Sequence, residues 1–94
     1  MQGVEPIEGA ASVERTLRAL LVDVLGLPTA RVARFDSATE LFGALPELDS
    51  MAVAALLTGL EERLAILIED DDVEAEDFAT FGRLLSFAER IALR

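Results

Sequence analysis

Ser50 is the residue whose type and setting best suit chemistry. It follows Asp49 and precedes Met51, where a connection broken by Pro46 passes into a predicted helix that extends to about Leu64. A hydroxyl in the first turn of a helix lies near free backbone N–H groups and the positive end of the helix dipole, and both favour an anion such as a phosphate. The alternative is that Ser50 only caps the helix. Because Asp49 can supply the cap, the Ser50 hydroxyl remains available for attachment.

The amino-acid composition excludes most other reactive sites. The chain contains no His, Cys, Lys or Tyr. The usual general base at neutral pH is therefore absent, as are Ser–His pairs and the soft or imidazole ligands of zinc, copper and iron–sulfur sites. We expect no enzyme, no catalytic residue and no metal site, and we expect a protein on which other enzymes act.

The charge balance restricts the partners. Eighteen acidic residues against eight arginines give a formal net charge of −10, which repels nucleic acids and anionic membranes and attracts basic protein surfaces. No apolar run approaches the ~20 residues that span a bilayer, and the N-terminus lacks the features of a secretory signal. We therefore expect a cytoplasmic monomer that binds no nucleic acid, does not insert into membranes and meets enzymes with basic docking patches.

Apolar periodicity predicts the first helix. Ser12 is its expected N-cap, and Gly26 followed by Pro28 marks its end. Residues 1–11 show no periodicity and are expected to be a disordered lead-in, which leaves residues 12–94 as one helical domain. The residues spaced along one face of this helix are Val13, Leu17, Leu20, Leu21 and Val24.

A long connection follows the first helix. It extends over residues 29–40, and its apolar residues Val32 and Phe35 are expected to anchor it on the core. Leu41 and Leu45 have the spacing of one face of a short helical segment. The connection is therefore predicted to be fixed by its own side chains.

Two further amphipathic helices are predicted. The one that begins at Ser50 buries Val53, Leu56, Leu57, Leu60 and Leu64, and the last helix, capped by Thr80, buries Phe81, Leu84, Leu85, Ala88, Ile91 and Ala92. Val73 and Phe78 are expected to anchor a short third helix between them. Gly59 either packs closely against another helix, which we favour, or keeps a groove open for a ligand chain. The predicted fold is all-α: a small up-and-down four-helix bundle of three main helices and a short third helix, with a long first loop.

Residues 69–77 concentrate seven carboxylates in nine positions. A calcium-binding EF-hand loop that began at Asp70 would put Ala75 where a glycine is required and Phe81 where a bidentate glutamate is required, so that motif is absent. The run is either a solvated acidic face or an electrostatic docking surface for basic partners, and a loose cation site is less favoured.

Five short motifs together resemble those of the acyl carrier protein family, over about residues 12–94. They are Asp49-Ser50-Met51 at the start of the second main helix, Leu25-Gly26-Leu27, Leu60-Glu61-Glu62, Ile68-Glu69-Asp70 and Phe78-Ala79-Thr80-Phe81. The resemblance implies that Ser50 is esterified by 4′-phosphopantetheine, which a phosphopantetheinyl transferase installs from coenzyme A and whose thiol carries acyl groups as thioesters.

The resemblance also implies which residues meet other molecules. A partner-docking face would include Asp49, Met51, Glu61 and Glu62, and a ligase or synthase would load the arm. A groove between the second and third helices would shelter an acyl chain, with Thr58, Gly59 and Leu64 as its lining.

Two features depart from the family pattern. Glu47 stands where a glycine is usual, two residues before Asp49, and the run Ala52–Ala55 is neutral where acids are often interspersed. Glu47 bears on the conformation of the loop before Ser50. The neutral run favours a dedicated pathway, such as polyketide, lipid-modification or exopolysaccharide-associated chemistry, over exchange with general fatty acid biosynthesis. The alternatives are a peptidyl or aminoacyl carrier and an acidic helical interaction module without a prosthetic group.

Overall fold

Four α-helices and two 3₁₀ turns form the fold in a computed structural model, which describes the backbone of residues 5–94 and the side chains of residue 9 and residues 11–94. The helices are α1 (Glu5–Leu25), α2 (Thr29–Ala33), α3 (Ser50–Leu64) and α4 (Phe81–Ala92), and the 3₁₀ turns are Asp70–Asp72 and Ala75–Phe78. Helix α1 packs against α2, α3 and α4. The predicted all-α fold with a long first connection is confirmed, and the two 3₁₀ turns stand where the short third helix was predicted. Within residues 5–94, no helix has the length and apolar character needed to cross a membrane.

Helix α1 begins earlier than predicted. Ser12, the predicted N-cap, lies inside the helix, and residues 5–11 are helical where a disordered lead-in was expected. Residues 1–4 lie outside the described part of the chain. Pro6 and Gly9 both lie within the helix, so the predicted N-cap at Ser12 is wrong.

The core is formed by the predicted apolar faces of the three long helices. The fully buried side chains on these faces include Leu17, Leu20, Leu21, Leu56, Leu60 and Leu84. Val24, Val53, Leu57, Leu64, Leu85 and Ala92 were expected in the core but are only partly buried around it. Phe87 was not predicted, yet it is fully buried, and its spacing from Leu84 and Ile91 is that of one helix face.

Helix α2 was not predicted. Pro28 was interpreted only as the end of the first helix, but its carbonyl also accepts hydrogen bonds from the N–H groups of Arg31 and Val32, at 3.0 and 3.1 Å. With five residues, α2 is too short to show helical periodicity in a sequence. Val32 and Phe35 are buried, so the predicted anchoring of this connection is confirmed.

A single hydrogen-bonded turn replaces the short helix expected around Leu41 and Leu45. The N–H of Leu45 donates to the carbonyl of Leu41 at 2.8 Å, and both side chains are buried. Gly43 adopts a φ of 92°, which ends any helical path and which glycine adopts without steric cost. Pro46 then prevents continuation, since it has no N–H to donate.

Backbone hydrogen bonds attach the end of this connection to the start of α4. They join the N–H groups of Leu41, Phe42, Phe81 and Gly82 to the carbonyls of Ala79, Phe78, Thr39 and Ser37 respectively, at 2.8–3.1 Å. Glu40 and Thr80 form an isolated antiparallel bridge within this contact. These bonds fix the segment that leads to Ser50 to the start of α4, which is distant in the sequence.

Arg18 joins α1 to the connection. Its guanidinium donates to the Glu14 carboxylate, to the Val32 carbonyl at 2.6 Å and to the Phe35 carbonyl at 3.2 Å. It also lies 4.5 Å from the centroid of the Phe81 ring, a cation–π distance. Arg18 thus satisfies two carbonyls at and after the end of α2 and contacts α4.

We expect Arg18→Met to destabilise the protein by about 1–3 kcal/mol, because hydrogen bonds from a charged donor would be lost while the aliphatic stem is kept. The measurement is urea unfolding followed by circular dichroism. Arg83→Met is the matched control: Arg83 is exposed and lies 3.8 Å from Glu76, so its loss should change stability by less than about 0.5 kcal/mol. Equal effects of the two substitutions would contradict the role given to Arg18.

Gly59 lies where α3 packs on α1. A Cβ atom added there would stand 2.5 Å from Cδ2 of Leu20, well inside contact distance, and Leu20 is itself 1% exposed. The favoured interpretation of Gly59, close packing between helices, is confirmed. The alternative, a glycine that keeps a ligand groove open, is wrong because the space beside Gly59 is filled by Leu20.

Candidate attachment site at the start of helix α3

Ser50 is the first residue of α3, and Asp49 is its N-cap, as predicted. Oδ1 of Asp49 accepts a hydrogen bond from the N–H of Ala52 at 2.8 Å, and the Asp49 backbone is extended, which is the usual N-cap geometry. Ser50 is exposed and is not the residue that caps the helix. Its hydroxyl is therefore presented to solvent at the positive end of the helix dipole.

Buried leucines fix the approach to Ser50. Leu45 and Leu48 are both buried, and the N–H of Leu48 donates to the carbonyl of Leu45 at 3.0 Å. Glu47, which replaces the usual glycine, is exposed and is not among the residues with positive φ. The backbone at Glu47 therefore does not require glycine, and the side chain is accommodated in solvent.

An open apolar groove of about 270 Å³ lies beside Ser50. Its lining residues come from the connection, the start of α3 and the segment around the second 3₁₀ turn: Phe42, Ser50, Val53, Val73, Glu74, Ala75 and Phe78. Val73 and Phe78 were predicted as anchors of this region, and they are partly and fully buried respectively. The groove thus joins the exposed hydroxyl to an apolar surface.

Thr58, Gly59 and Leu64, which the resemblance placed in the lining of a groove, are not among the residues that line the groove beside Ser50. Phe42 was missed. It is 53% exposed and directly follows the buried Leu41. The sequence signal that could have identified Phe42 is a large apolar residue next to, and not on the same face as, a residue predicted to be buried.

The four residues assigned to partner docking lie in different settings. Met51 is 82% exposed, and Glu62 is also exposed. Asp49 is exposed but engaged as the cap. Glu61 is partly buried, and its Oε2 accepts a hydrogen bond from the N–H of Ile68 at 2.9 Å. Glu61 therefore stabilises the link after α3, a role that the sequence did not indicate.

Several carboxylates of residues 69–77 form hydrogen bonds or ion pairs within the protein. The carboxylates of Asp72 and Asp77 accept hydrogen bonds from the N–H groups of Glu69 and Glu74, at 2.9 and 2.8 Å, and so cap the two 3₁₀ turns. Arg94 forms an ion pair with Asp72 at 3.2 Å. Among the side chains described for residues 11–94, no cluster of three or more carboxylates is arranged to hold a metal ion. The run is therefore partly a structural element and not wholly a solvated face.

The pKa of Asp72 is lowered from its ordinary value of 3.8, first by the hydrogen bond from the Glu69 backbone and then by Arg94. A lowered folded-state pKa means that Asp72 contributes stability above the unfolded-state value and loses it as the pH falls through the folded-state value. We expect Asp72→Asn to lower the melting temperature at pH 7 and this difference to shrink below about pH 3.8.

Thermal unfolding of both proteins between pH 7 and pH 2.5, followed by circular dichroism, checks this expectation. Asp71→Asn is the matched control because Asp71 is an exposed neighbour in the same 3₁₀ turn. A melting-temperature difference for Asp72→Asn that stayed constant down to the lowest pH would contradict the ionic role of Asp72.

A small helical domain that presents an exposed serine at a helix N-terminus beside an apolar groove has the architecture of a carrier protein. The sequence matches the phosphopantetheine attachment site family over residues 15–88. The chain belongs to this family of non-catalytic, phosphopantetheine-binding carrier proteins, whose members are modified by phosphopantetheinyl transferases. The predicted cofactor class, 4′-phosphopantetheine, is confirmed by this match.

The structure is similar to that of a holo acyl carrier protein from Nitrosomonas europaea, determined by solution NMR. The two chains are 38% identical and superpose with a TM-score of 0.76, over 87% of this chain and 96% of the other. No curated protein sequence matches the chain at a significant level. The resemblance to acyl carrier proteins is confirmed by these comparisons.

Proposed function

We propose that Ser50 is the attachment point of the 4′-phosphopantetheine arm and that the protein presents acyl groups to partner enzymes. The observation that carries the proposal is the division of roles at the start of α3. Asp49 caps the helix, and Ser50 is left exposed beside the groove. Once attached, the group supplies a terminal thiol on which acyl cargo is held as a thioester.

The residues around Ser50 suit a phosphodiester. The first N–H groups of α3 and the positive end of its dipole favour a negative charge at this position. The apolar surface formed by Phe42, Val53, Val73 and Phe78 offers the arm or its cargo a place out of water. The protein's contribution is therefore to hold the arm at one point, which raises the local concentration of its cargo at each partner.

We propose that partner enzymes dock on the exposed side of α3. Asp49, Met51 and Glu62 remain the candidate contacts, and Glu61 is a weaker one because its carboxylate is already hydrogen-bonded. Ala54 and Ala55 are exposed as well, so the first turns of α3 present little charge. This neutral surface supports a loading ligase or synthase of a dedicated pathway over the enzymes of general fatty acid biosynthesis.

Two alternative functions differ in how well they are supported. Membership of the phosphopantetheine attachment site family argues against a module without a prosthetic group. A peptidyl or aminoacyl carrier would share the same attachment chemistry, but the similarity to an acyl carrier protein over most of the chain supports acyl cargo. A cytoplasmic monomer remains our expectation from composition and charge.

Incubation with a broad-specificity phosphopantetheinyl transferase and coenzyme A tests the proposed function. We expect the intact mass to rise by one phosphopantetheine, because one exposed serine has the required setting. The matched reaction without coenzyme A should leave the mass unchanged. Absence of any mass gain, under conditions in which a known carrier protein is fully loaded, would contradict the function.

A further inference from the structure

The arginines are distributed unevenly in this acidic protein. Four of the eight lie within residues 15–34, a segment with one carboxylate, Asp23. Asp23 forms an ion pair with Arg63 at 2.7 Å, and Arg18 pairs with Glu14 at 2.8 Å.

The remaining arginines of the segment are Arg15, Arg31 and Arg34, which are all exposed. Among the side chains that the structure describes, residue 9 and residues 11–94, none of these three arginines forms an ion pair with a carboxylate. These three arginines are therefore not ion-paired with any described carboxylate, although the chain as a whole has a formal net charge of −10.

A groove with an apolar lining lies between α1 and α2 at this position. Its volume is about 560 Å³, and Ala19, Val22, Val32 and Ala33 supply its apolar surface. Arg15 and Arg18 also line it. Asp23 is paired with Arg63 and Arg18 with Glu14, so the charge left on the apolar groove is that of Arg15.

We propose that the α1–α2 groove is a second docking surface, separate from α3, for an acidic segment of a partner protein. This segment would insert one of its aliphatic side chains into the groove. The aliphatic side chain would occupy the apolar floor, and a flanking carboxylate would face Arg15, which lines the groove. Charge complementarity identifies this occupant, since the exposed arginines of α1 and α2 have no carboxylate of their own within the described residues.

The same charges disfavour larger anionic partners. A nucleic acid or an anionic membrane presents negative charge over an area wider than the groove, so it would also meet the acidic remainder of the protein. Exposed charges interact mainly within about one Debye length, roughly 8 Å at physiological salt. A short acidic segment in the groove would therefore interact mainly with the nearby arginines. A second copy of the chain would bring a further net charge of −10.

NMR titration of the isotope-labelled protein tests the proposal. The probe is an acetylated Glu-Leu-Glu-Glu-Leu-Glu peptide, and the control peptide replaces each Glu with Gln. We expect the acidic peptide to shift the backbone amides of Ala19, Val22, Thr29 and Ala33. We also expect Arg15→Glu to weaken binding roughly three- to ten-fold, because an attraction between exposed charges becomes a repulsion.

Arg83→Glu is the matched control, since Arg83 is an exposed arginine of α4 that does not line this groove. It should leave the affinity unchanged, and higher salt should weaken binding of the acidic peptide. The proposal is overturned by an absence of shifts with the acidic peptide, by equal shifts with the Gln peptide or by equal effects of the two substitutions. Concentration-dependent shifts at the groove without peptide would assign it to a second copy and would also overturn the proposal.

Discussion

Ser50→Ala is expected to abolish loading by phosphopantetheinyl transferase while leaving the fold unchanged. Alanine removes the hydroxyl that forms the phosphodiester, so the mass gain seen with the unaltered chain should disappear completely. The cap of α3 is made by Asp49, and Ser50 is exposed, so the change in unfolding free energy should stay within about 0.5 kcal/mol. Intact mass and urea unfolding measure the two effects separately.

The matched control for this substitution is Ser86→Ala. Ser86 is also exposed, but it lies inside α4 and not at a helix N-terminus. It should load as the unaltered chain does. Loading of Ser50→Ala at the normal rate would show that another hydroxyl accepts the arm, whereas a large loss of stability would mean that Ser50 has a structural role.

Leu20→Ala is expected to produce a large loss of stability. Leu20 belongs to α1, is 1% exposed and packs against Gly59 of α3. Truncation of a buried leucine costs about 2–5 kcal/mol, because apolar contacts are lost and a cavity remains. Urea unfolding followed by circular dichroism measures the loss. A change below about 1 kcal/mol would contradict the close packing of these two helices.

A substitution at Gly59 tests the same contact from the other helix. In the unaltered chain, Gly59→Ala should destabilise, because the new Cβ would stand 2.5 Å from Leu20 Cδ2 and overpacking costs about 1–3 kcal/mol. In the Leu20→Ala background the obstacle is gone. Gly59→Ala should then stabilise by about 1 kcal/mol through its higher helix propensity. Equal effects in the two backgrounds would show that Gly59 and Leu20 do not interact.

The sequence carried most of the information about α3 and α4. Their caps, Asp49 and Thr80, act through bonds to nearby backbone N–H groups. Such bonds depend on the residue type at one position and can be predicted without tertiary structure. The buried faces followed from helical spacing for the same reason. The position of Ser50 at the start of α3 could therefore be predicted from the sequence.

Other features depend on contacts between distant residues. The groove lining combines Phe42 with the start of α3 and the second 3₁₀ turn, and no local pattern specifies that arrangement. The bonds from Arg18 to the Val32 and Phe35 carbonyls connect residues 14 and 17 positions apart. At Gly43, glycine permits a positive φ but does not require it, so the turn that replaced the predicted helical segment was not specified locally.

The most direct test of the central claim is to locate the arm on the loaded protein. Cleavage after Arg34 and Arg63 releases one peptide that contains Ser50 together with Ser37, Thr39 and Thr58. Tandem mass spectrometry of this peptide from the loaded, unaltered chain can assign the modified hydroxyl. We expect fragment ions to place phosphopantetheine on Ser50 alone. Fragments that place it on any other hydroxyl would contradict the assignment of Ser50 as the attachment point.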